Sequence, residues 1–414
     1  MRALSRALLT TSTFPSGESD KVTARFVLDL ATHLAAHLRV VVLAPAAPGT
    51  RSREQWGDVT VLRYRYFAPA RLQVITGGEG VLATLRANRL ARAQLPLLVA
   101  AQWAVLPGIV RRERIDLVNT HWIVPQGLNA AVWRRVFRLP HVTTAHGADV
   151  AFLARSRVGG PLTRFIFSQT DYLIADSEHL AVEVERRLGR PVPHRAIPMG
   201  MSQALFRPDG SSLRLRHADD ERVVLFVGKL VPKKGVNVLL EAAARLKAMG
   251  RRVRVVVIGG GPLEESIRQS LFQLDLIDRV DLKGWVRNDQ LPSYYRAADV
   301  VCVPSVRDHH GETEGTPVVL QEALGAGAIV VASDISGIPE VVRDGDNGWI
   351  VPPSDANALA RALMTALDMD DPSRQAMQQA ARRTALGHSW ERVAEHYLEA
   401  FGEAASRYHG NERR

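Results

Sequence analysis

Disulfide chemistry is excluded by the near absence of cysteine. The 414-residue chain has one cysteine, Cys302, inside the apolar run ADVVCVPS. A single thiol cannot form a disulfide within the chain, whereas small secreted domains usually depend on several. The sequence therefore predicts a reducing, cytoplasmic compartment. It also predicts that Cys302 acts as a small buried hydrophobic side chain.

Long uninterrupted hydrophobic runs are also lacking. The most apolar stretch, residues 95–110, is 16 residues long and contains Pro96, Gln102 and Pro107. A membrane-spanning helix needs about 20 apolar residues, so this stretch is predicted not to span a membrane. The N-terminal segment, residues 1–15, is broken by threonines, which favours a first β-strand over a signal peptide.

Positive charge is concentrated in the first half of the chain. Residues 1–200 contain 26 Lys and Arg against 14 Asp and Glu, whereas residues 201–414 contain 27 against 29. In the segments LRANRLARAQL, VRRERI and VWRRVFRL, arginines alternate with apolar residues. Two interpretations stay open: a surface for an anionic membrane, or arginines whose stems cover the protein's own core. Nucleic acid is not favoured, because no nucleic-acid motif accompanies the charge.

Short Val/Ile-rich runs alternate with helical patterns along the whole chain. RVVVLAP, RVVLFVG and VRVVVIGG are examples of the runs, and each is followed or preceded by an amphipathic stretch. Such continuous apolar runs between helices are typical of parallel strands covered on both faces. A Pro-, Gly- and Ser-rich segment at residues 198–220 separates two sets of these units. The prediction is an α/β protein with two doubly wound, Rossmann-like domains, with ligands at the carboxyl ends of the strands in a cleft between them.

Two glycine-containing loops follow predicted strands of the second half. In LFVGKLVPKKGVN, Lys229 and Lys234 bracket a loop that ends on Gly235. Two cations on a strand-end loop can clamp a diphosphate, although solvated loop lysines would give the same pattern. The turn VIGGGPL contains Gly260 but lacks a full G-x-G-x-x-G, so it is weak evidence for a nucleotide.

The stretch EGTPVVLQEALGAG places two carboxylates on either side of a predicted helix start. Thr316 can cap this helix and Pro317 fits its first turn. The helix N-terminus is suited to phosphate, while Glu314 and Glu322 would accept hydrogen bonds from hydroxyls. A ligand with hydroxyls, phosphates and hydroxyls in that order is a nucleotide sugar. The alternative is that Glu322 lies on the solvated face of an ordinary amphipathic helix.

Loops of the first half supply weaker candidates. Gly17, in TFPSGESDK, would let backbone approach a ligand before a helix. His146, in TTAHGADV, follows a predicted strand and could hydrogen-bond a substrate hydroxyl. His121 and Trp122 end the preceding strand in the same way. For each of these residues a purely structural role is an alternative.

Taken together, these motifs resemble one family along residues 3–402. FPSGES, THWIVPQG, TAHGADV, GKLVPKKG, VIGGGPL, EGTPVVLQEALGAG and SDISGIPEVVRDGDNGWIVPP occur in the order found in retaining glycosyltransferases of the GT-B fold, glycosyltransferase family 4. The resemblance implies two Rossmann-like domains that face each other across a cleft. Residues 1–200 would form the acceptor side, completed by a C-terminal helix at 388–414, and residues 201–387 the nucleotide-sugar donor side.

The resemblance also assigns roles to the E-x7-E stretch. Glu314 would contact hydroxyls of the transferred sugar, and Glu322 would contact the ribose. Backbone amides at Gly315, Thr316 and Pro317 would face the sugar and phosphates.

Other motif positions are matched in the same way. Lys229 and Lys234 would neutralise the diphosphate, although position 229 is lysine where arginine is commoner in the family. His146 would approach the 6-position of the sugar. The remaining matches lie near the phosphates or the base, and these are Gly17, Gly260 and Val286.

The activity implied is transfer of a hexose-like sugar, with retention, to an acceptor hydroxyl in polysaccharide or glycolipid assembly. The acceptor would be a sugar or a lipid-linked glycan, and the enzyme would work in the cytoplasm or at the inner face of the membrane. No cofactor or metal is expected: the D-G-D at 344–346 is interpreted as turn chemistry, and DHHGE at 308–312 as a flexible loop beside the active site. Alternatives are a sugar-nucleotide epimerase or phosphorylase on the same fold, a non-catalytic nucleotide-sugar-binding subunit, or a basic protein that only binds membranes or nucleic acid.

Overall fold

The chain divides into two compact units. A computed structural model describes residues 4–17, 25–76, 81, 84–85, 88–309, 311 and 313–412. One unit contains residues 1–198 and 390–414, and the other contains residues 199–389. Residues 18–21 of the first glycine loop, with His310 and Glu312 of the DHHGE segment, lie outside the described residues.

The first unit contains an eight-stranded sheet with the order β3-β4-β2-β1-β5-β6-β7-β8. All neighbouring pairs are parallel except β3 and β4. The chain leaves β1 towards β2 on one side and resumes at β5 on the other, so the order reverses between β1 and β5. The strands are β1 Arg6–Thr10, β2 Arg39–Pro45, β3 Arg53–Trp56, β4 Val59–Tyr64, β5 Leu117–His121, β6 His141–Ala145, β7 Tyr172–Ala175 and β8 His194–Ala196.

Helices connect these strands. They are α1 Phe26–Leu34, α2 Arg89–Glu113, α3 Leu128–Phe137, α4 Ala148–Arg155, α5 Gly159–Ser168 and α6 Glu178–Leu188. Short 3₁₀ and π turns occur at Ala70–Leu72 and Ile123–Gly127.

The second unit contains a six-stranded, all-parallel sheet with the order β11-β10-β9-β12-β13-β14. Its order reverses between β9 and β12, which is where a doubly wound sheet opens a ligand crevice. The strands are β9 Arg222–Val227, β10 Val253–Ile258, β11 Val280–Gly284, β12 Val300–Val303, β13 Val330–Ser333 and β14 Trp349–Val351.

The helices of this unit are α7 Val236–Ala248, α8 Glu264–Gln273, α9 Leu291–Ala297, α10 Val318–Gly325, α11 Ile338–Val341, α12 Ala356–Leu367 and α13 Asp371–Leu386. A final helix, α14 Trp390–Glu412, returns to the first unit and packs against α1, β6 and β7.

Alternate residues of the central strands enter two different cores, one on each face of the second sheet. Val224 and Phe226 of β9 join one buried cluster, while Val223 and Leu225 join the other. Because both faces are covered, nearly every position of the strand is apolar. This arrangement confirms the predicted doubly wound α/β architecture. Cys302 is buried in the first of these clusters, as expected, and burial raises the pKa of its thiol.

The apolar run at 95–110 is part of a helix that is longer than the 16 residues of the run. Helix α2 continues through Pro96 and Pro107 and is 25 residues long. Pro107 has no N–H for the carbonyl of Trp103, but the indole Nε1 of Trp133 donates to that oxygen at 2.9 Å. Within the described residues, α2 is the one helix long and apolar enough to cross a membrane. Helices in the core of a folded protein can have the same length and composition.

Candidate active site

The loops after β9 and β12 meet at the reversal point of the second sheet. The turn Pro232–Lys234 follows β9, and the backbone N–H of Val306, after β12, donates to the carbonyl of Lys233 at 2.9 Å. Gly235 ends this turn with φ of 67°, and a Cβ there would lie 1.8 Å from the carbonyl oxygen of Pro304. Only glycine fits this combination of left-handed backbone and close approach.

Glu314 is held by two lysines of this turn. Its Oε2 lies 2.9 Å from Nζ of Lys234, and its Oε1 lies 3.2 Å from Nζ of Lys233. The Glu314 side chain is 11% exposed, and those of Lys233 and Lys234 are 26% and 16% exposed. Burial opposes ionisation of Glu314, but the two ammonium groups outweigh it and lower the pKa of Glu314 to about 2. A compact cluster of two cations and one anion therefore forms at the strand ends.

The sequence prediction paired Lys234 with Lys229, whereas Lys233 is the second lysine on Glu314. Lys233 is next to Lys234 in PKKG, and this pair of lysines was the feature of the sequence from which a role for Lys233 could have been predicted. Lys229 lies two residues beyond β9 and is half-buried. The loop around it is fixed by backbone bonds, since Leu230 donates to the carbonyl of Gly260 at 3.0 Å.

Glu322 lies inside α10, and its carboxylate is buried. Its Oε2 accepts a hydrogen bond from the hydroxyl of Tyr295 at 2.9 Å, and its Oε1 accepts one from Nδ2 of Asn288 at 3.1 Å. Tyr295 is fully buried, and burial together with the charge of Glu322 raises the pKa of its hydroxyl well above the usual value. The alternative of a solvated position for Glu322 is therefore wrong. Tyr295 and Asn288 were not predicted; both lie in the segment RNDQLPSYYRAAD at residues 287–299.

The start of α10 differs from the predicted cap. The N-cap residue is Pro317, which has no side-chain oxygen, and the helix begins at Val318. Thr316 is buried one residue earlier, so the prediction that it caps the helix is wrong. Gly315 is half-buried, and its carbonyl accepts a hydrogen bond from the backbone N–H of Gly337 at 3.4 Å.

The glycine turn after β10 packs against the residues that follow β9 and β11. A Cβ on Gly259 would lie 2.0 Å from the carbonyl oxygen of Gly228, and one on Gly260 would lie 2.5 Å from Nε1 of Trp285. Val286 follows Trp285 and packs partly buried against the core. Gly260 therefore lies beside Trp285, the residue before Val286. Trp285 itself is 59% exposed.

In the first unit, His146 is buried and both of its ring nitrogens have partners. Nδ1 lies 3.1 Å from Oδ2 of Asp176, and Nε2 lies 3.0 Å from Nδ1 of His121. Burial alone would lower the pKa of His146, but the carboxylates of Asp176 and Asp149 outweigh it, so the pKa is raised. Burial, followed by the charge of His146, holds the pKa of His121 well below its usual value.

The burial of His146 limits what it can do for a substrate. Its side chain is 6% exposed, and its ring lies 5.0 Å from the rings of both Phe26 and Trp122. A direct bond to a sugar would require it to release Asp176 or His121. Gly17, the other candidate of this unit, is half-buried at the end of the described part of its loop.

No metal-binding group of three or more His, Cys, Asp or Glu residues is present among the described residues. Asp344 and Asp346 belong to a turn in which Oδ1 of Asp344 accepts from the N–H of Ile350 at 2.9 Å and Asp346 pairs with Arg343 at 2.7 Å. This is the turn role expected for the D-G-D segment.

The Glu314 cluster predicts a pH-dependent contribution to stability. The pKa of Glu314 is about 2 in the folded protein against a usual value of 4.5. A lowered folded-state pKa stabilises the fold above the unfolded-state pKa, by about 3 kcal/mol at neutral pH for this shift. That contribution decreases as the pH falls from about 5 towards 2. Thermal unfolding of the wild type and Glu314→Gln should therefore differ most at pH 7 and converge as the pH falls towards 2. A difference that grows on acidification would contradict the assignment.

Comparisons with known proteins identify the family. The model described as "Glycosyltransferase Family 4" matches residues 23–203, and that described as "Glycosyl transferases group 1" matches residues 212–384. The D-inositol 3-phosphate glycosyltransferase of Corynebacterium efficiens is 31% identical over 343 residues, which cover 77% of this chain and 78% of that relative. The chain belongs to the group 1 glycosyltransferases, glycosyltransferase family 4, as its motifs predicted.

Two further comparisons concern a polysaccharide enzyme and a solved structure. The amylovoran biosynthesis glycosyltransferase AmsK of Erwinia amylovora is 30% identical over 276 residues, which cover 63% of this chain. The match spans 64% of the length of AmsK, slightly under two thirds. The crystal structure of Anabaena HepE in complex with UDP and glucose has a TM-score of 0.68 and 19% identity, and the match covers 96% of this chain and 99% of HepE. This likeness identifies the fold as GT-B.

Proposed function

We propose that the protein transfers a sugar from a nucleoside-diphosphate sugar to an acceptor hydroxyl, with retention of configuration and without a metal ion. The observation that carries this proposal is the cluster of Lys233, Lys234 and Glu314 at the reversal point of the second sheet. Beside it in sequence, α10 begins at Val318 and holds the buried carboxylate of Glu322. Cations for a diphosphate thus come from the turn after β9, and carboxylates for hydroxyls come from the loop after β12 and from α10.

Donor binding would exchange partners within this cluster. The diphosphate would take over the ammonium groups of Lys233 and Lys234, assisted by Lys229 and by the N-terminus of α10. Glu314, released from the lysines, would then accept hydrogen bonds from hydroxyls of the transferred sugar. Glu322, held in place by Tyr295 and Asn288, would accept hydrogen bonds from the ribose.

The same groups would stabilise the leaving group during transfer. The bond between C1 of the sugar and the phosphate oxygen breaks while the acceptor oxygen bonds to C1 on the same face. The acceptor's proton passes to the departing phosphate. Negative charge develops on the nucleoside diphosphate, next to cations that are already positioned, so the barrier is lowered electrostatically. Because the chain supplies these cations itself, the proposed reaction needs no metal.

The class of substrate is proposed from the relatives. HepE was crystallised with UDP and glucose, so uridine-diphosphate sugars are the first donors to test. AmsK carries the name of a polysaccharide biosynthesis enzyme, so we propose a saccharide or lipid-linked glycan as the acceptor, reached from the cytoplasm. In this proposal a hydrogen bond from His146 to the 6-hydroxyl of the sugar would replace its bond to His121.

A thermal-shift panel of nucleotide sugars tests the donor site. A ligand at about 100 times its Kd stabilises the folded state by about 2.7 kcal/mol, which raises the melting temperature of a unit of this size by about 5–10 °C. Glu322→Gln keeps an acceptor for Tyr295 but loses the charged hydrogen bonds to ribose, worth about 1.5–3 kcal/mol. The expected result is therefore a strong shift of the wild type by one donor and a small shift of the variant.

The matched control for this panel is Glu241→Gln, which removes an exposed carboxylate of the same unit that pairs with Arg245. This variant should keep the full donor shift. If no nucleotide sugar shifts the wild type, with or without divalent metal, the donor site is wrong. If a donor shifts it but neither transfer nor donor hydrolysis follows with any acceptor, the non-catalytic binding subunit becomes the better description.

A further inference from the structure

Helix α2 of the first unit has apolar side chains on both its inward and its outward face, with two glutamines on the inward face. Gln94 and Gln102 are fully buried. Oε1 of Gln94 accepts from the N–H of Val74 at 3.1 Å, and its Nε2 donates to the carbonyl of Leu72 at 2.7 Å. Oε1 of Gln102 accepts from Nδ2 of Asn129 at 2.9 Å. The inward face of α2 is therefore fixed to the unit by these polar contacts and by buried apolar side chains such as Leu98 and Leu106.

The outward face of the same helix is apolar. No charged residue occurs between Arg92 and Arg111. Leu90, Leu97 and Trp103 are 42%, 45% and 43% exposed, and their spacing of seven and six residues keeps them on the outward half of the helix. An ordinary surface helix has its polar residues on this side. The outward face of α2 is therefore suited to contact with an apolar partner.

The neighbouring helix α3 extends this surface. The indoles of Trp103 and Trp133 lie 5.0 Å apart, joined by the hydrogen bond from Trp133 to the carbonyl of Trp103. Val132 and Val136 of α3 are 38% and 59% exposed. We call the surface formed by Leu90, Leu97, Trp103, Val132 and Val136 the apolar face.

Exposed arginines lie at both ends of α2 and along α3, and neither helix has an exposed acidic side chain. The only acid within α2 and α3 is Glu113, which is buried and pairs with Arg39 at 2.9 Å and Arg53 at 2.6 Å. The exposed arginines at the two ends of α2 and on α3 are Arg89, Arg92, Arg111, Arg112, Arg114, Arg135 and Arg138. The partner that complements this surface is apolar in the centre and anionic around it.

We propose that the apolar face of α2 and α3 docks on the surface of an anionic lipid bilayer, with α2 lying in the plane of the interface. A bilayer offers acyl chains to Leu90, Leu97 and Val136 and anionic headgroups to the surrounding arginines. The indole of Trp103, which is apolar but carries an N–H, suits the boundary between the acyl chains and the headgroups. Because Gln94 and Gln102 tie the opposite side of α2 to the unit, the helix lies on the membrane and does not cross it. This inference does not depend on the donor site.

Flotation of the full chain with lipid vesicles tests the proposal. The wild type should bind vesicles that contain phosphatidylglycerol and bind pure phosphatidylcholine vesicles much more weakly, with binding weakened by salt. Leu97→Glu places a charge in the centre of the apolar face and should lower partitioning about tenfold or more. Arg89→Gln with Arg92→Gln should lower it by about fivefold for each arginine.

The matched control is Phe272→Glu, because Phe272 is 76% exposed on α8 of the second unit. It should leave vesicle binding unchanged, and all three variants should keep the wild-type melting temperature and donor-induced thermal shift. The proposal is overturned if the wild type fails to bind anionic vesicles or if Phe272→Glu weakens binding as much as Leu97→Glu. It is also overturned if the wild type is a dimer that Leu97→Glu dissociates, which would make the face a protein interface. Retention on vesicles through alkaline carbonate washing would instead indicate a spanning helix, against the proposal.

Discussion

Glu314→Gln is expected to lose transfer activity while it binds the free nucleoside diphosphate more tightly than the wild type. In the unliganded protein the carboxylate occupies the two ammonium groups at 2.9 and 3.2 Å. A diphosphate must displace that carboxylate before it can use the same cations. Removing the negative charge removes the competitor, so we expect affinity for the diphosphate to rise about tenfold.

Activity should change in the opposite direction. In the proposed reaction the released Glu314 carboxylate accepts hydrogen bonds from the transferred sugar. A neutral amide is a weaker acceptor, and it cannot stabilise positive charge that develops at C1. Loss of one such electrostatic contact typically lowers kcat by about 100-fold or more. Tighter product binding would lower turnover further, since product release can limit kcat.

Calorimetric titration with inorganic pyrophosphate, and with the nucleoside diphosphate of the donor found in the thermal-shift panel, measures the affinities directly. Glu241→Gln again serves as the control, because it removes an exposed, ion-paired carboxylate from the same unit. Weaker diphosphate binding by Glu314→Gln would show that the carboxylate organises the lysines and does not compete for them. Unchanged transfer by this variant would remove Glu314 from the catalytic machinery.

The Glu314 cluster illustrates which parts of the site could be predicted from the sequence. The residue types and their places at strand ends follow from local patterns, because glycine turns and helix starts are encoded within a few residues. The pairing of Glu314 with Lys233 and Lys234 is different, since it joins positions 80 residues apart in the chain. It depends on how the turn after β9 packs against the residues after β12, which no local pattern specifies.

His146 shows the same limit on the other unit. Its position directly after β6 could be predicted, but its burial is produced by Phe26, Trp122 and Asp176, which come from three other segments. A strand-end residue can face a ligand or the interior, and the choice is made by these distant side chains. The full length of helix α2 also escaped prediction, because a hydrogen bond from Trp133 compensates for Pro107 and distant residues bond to the buried side chains of Gln94 and Gln102.

Gly235→Ala is expected to have the largest effect on stability of any single methyl group added near the site. Residue 235 has φ of 67°, and the new Cβ would lie 1.8 Å from the carbonyl oxygen of Pro304 and 3.2 Å from Cγ1 of Val306. The left-handed backbone alone costs about 1–2 kcal/mol for a residue with a side chain. The overlap adds a further cost of about 1–3 kcal/mol or more, because backbone must move to relieve it.

Gly250→Ala separates the two contributions, because Gly250 follows the other end of the same helix, α7. Its φ is 73°, but a Cβ there would have no atom within 4 Å. We expect Gly250→Ala to lower the melting temperature by about 2–8 °C and Gly235→Ala to lower it by about 10 °C or more, or to prevent folding. Where Gly235→Ala does fold, the turn that carries Lys233 and Lys234 must have moved away from Pro304, so diphosphate binding should weaken as well. Equal effects of the two substitutions would mean that the turn after β9 is not packed against β12 as described. The lysines and Glu314 would then lose the contact that brings them together.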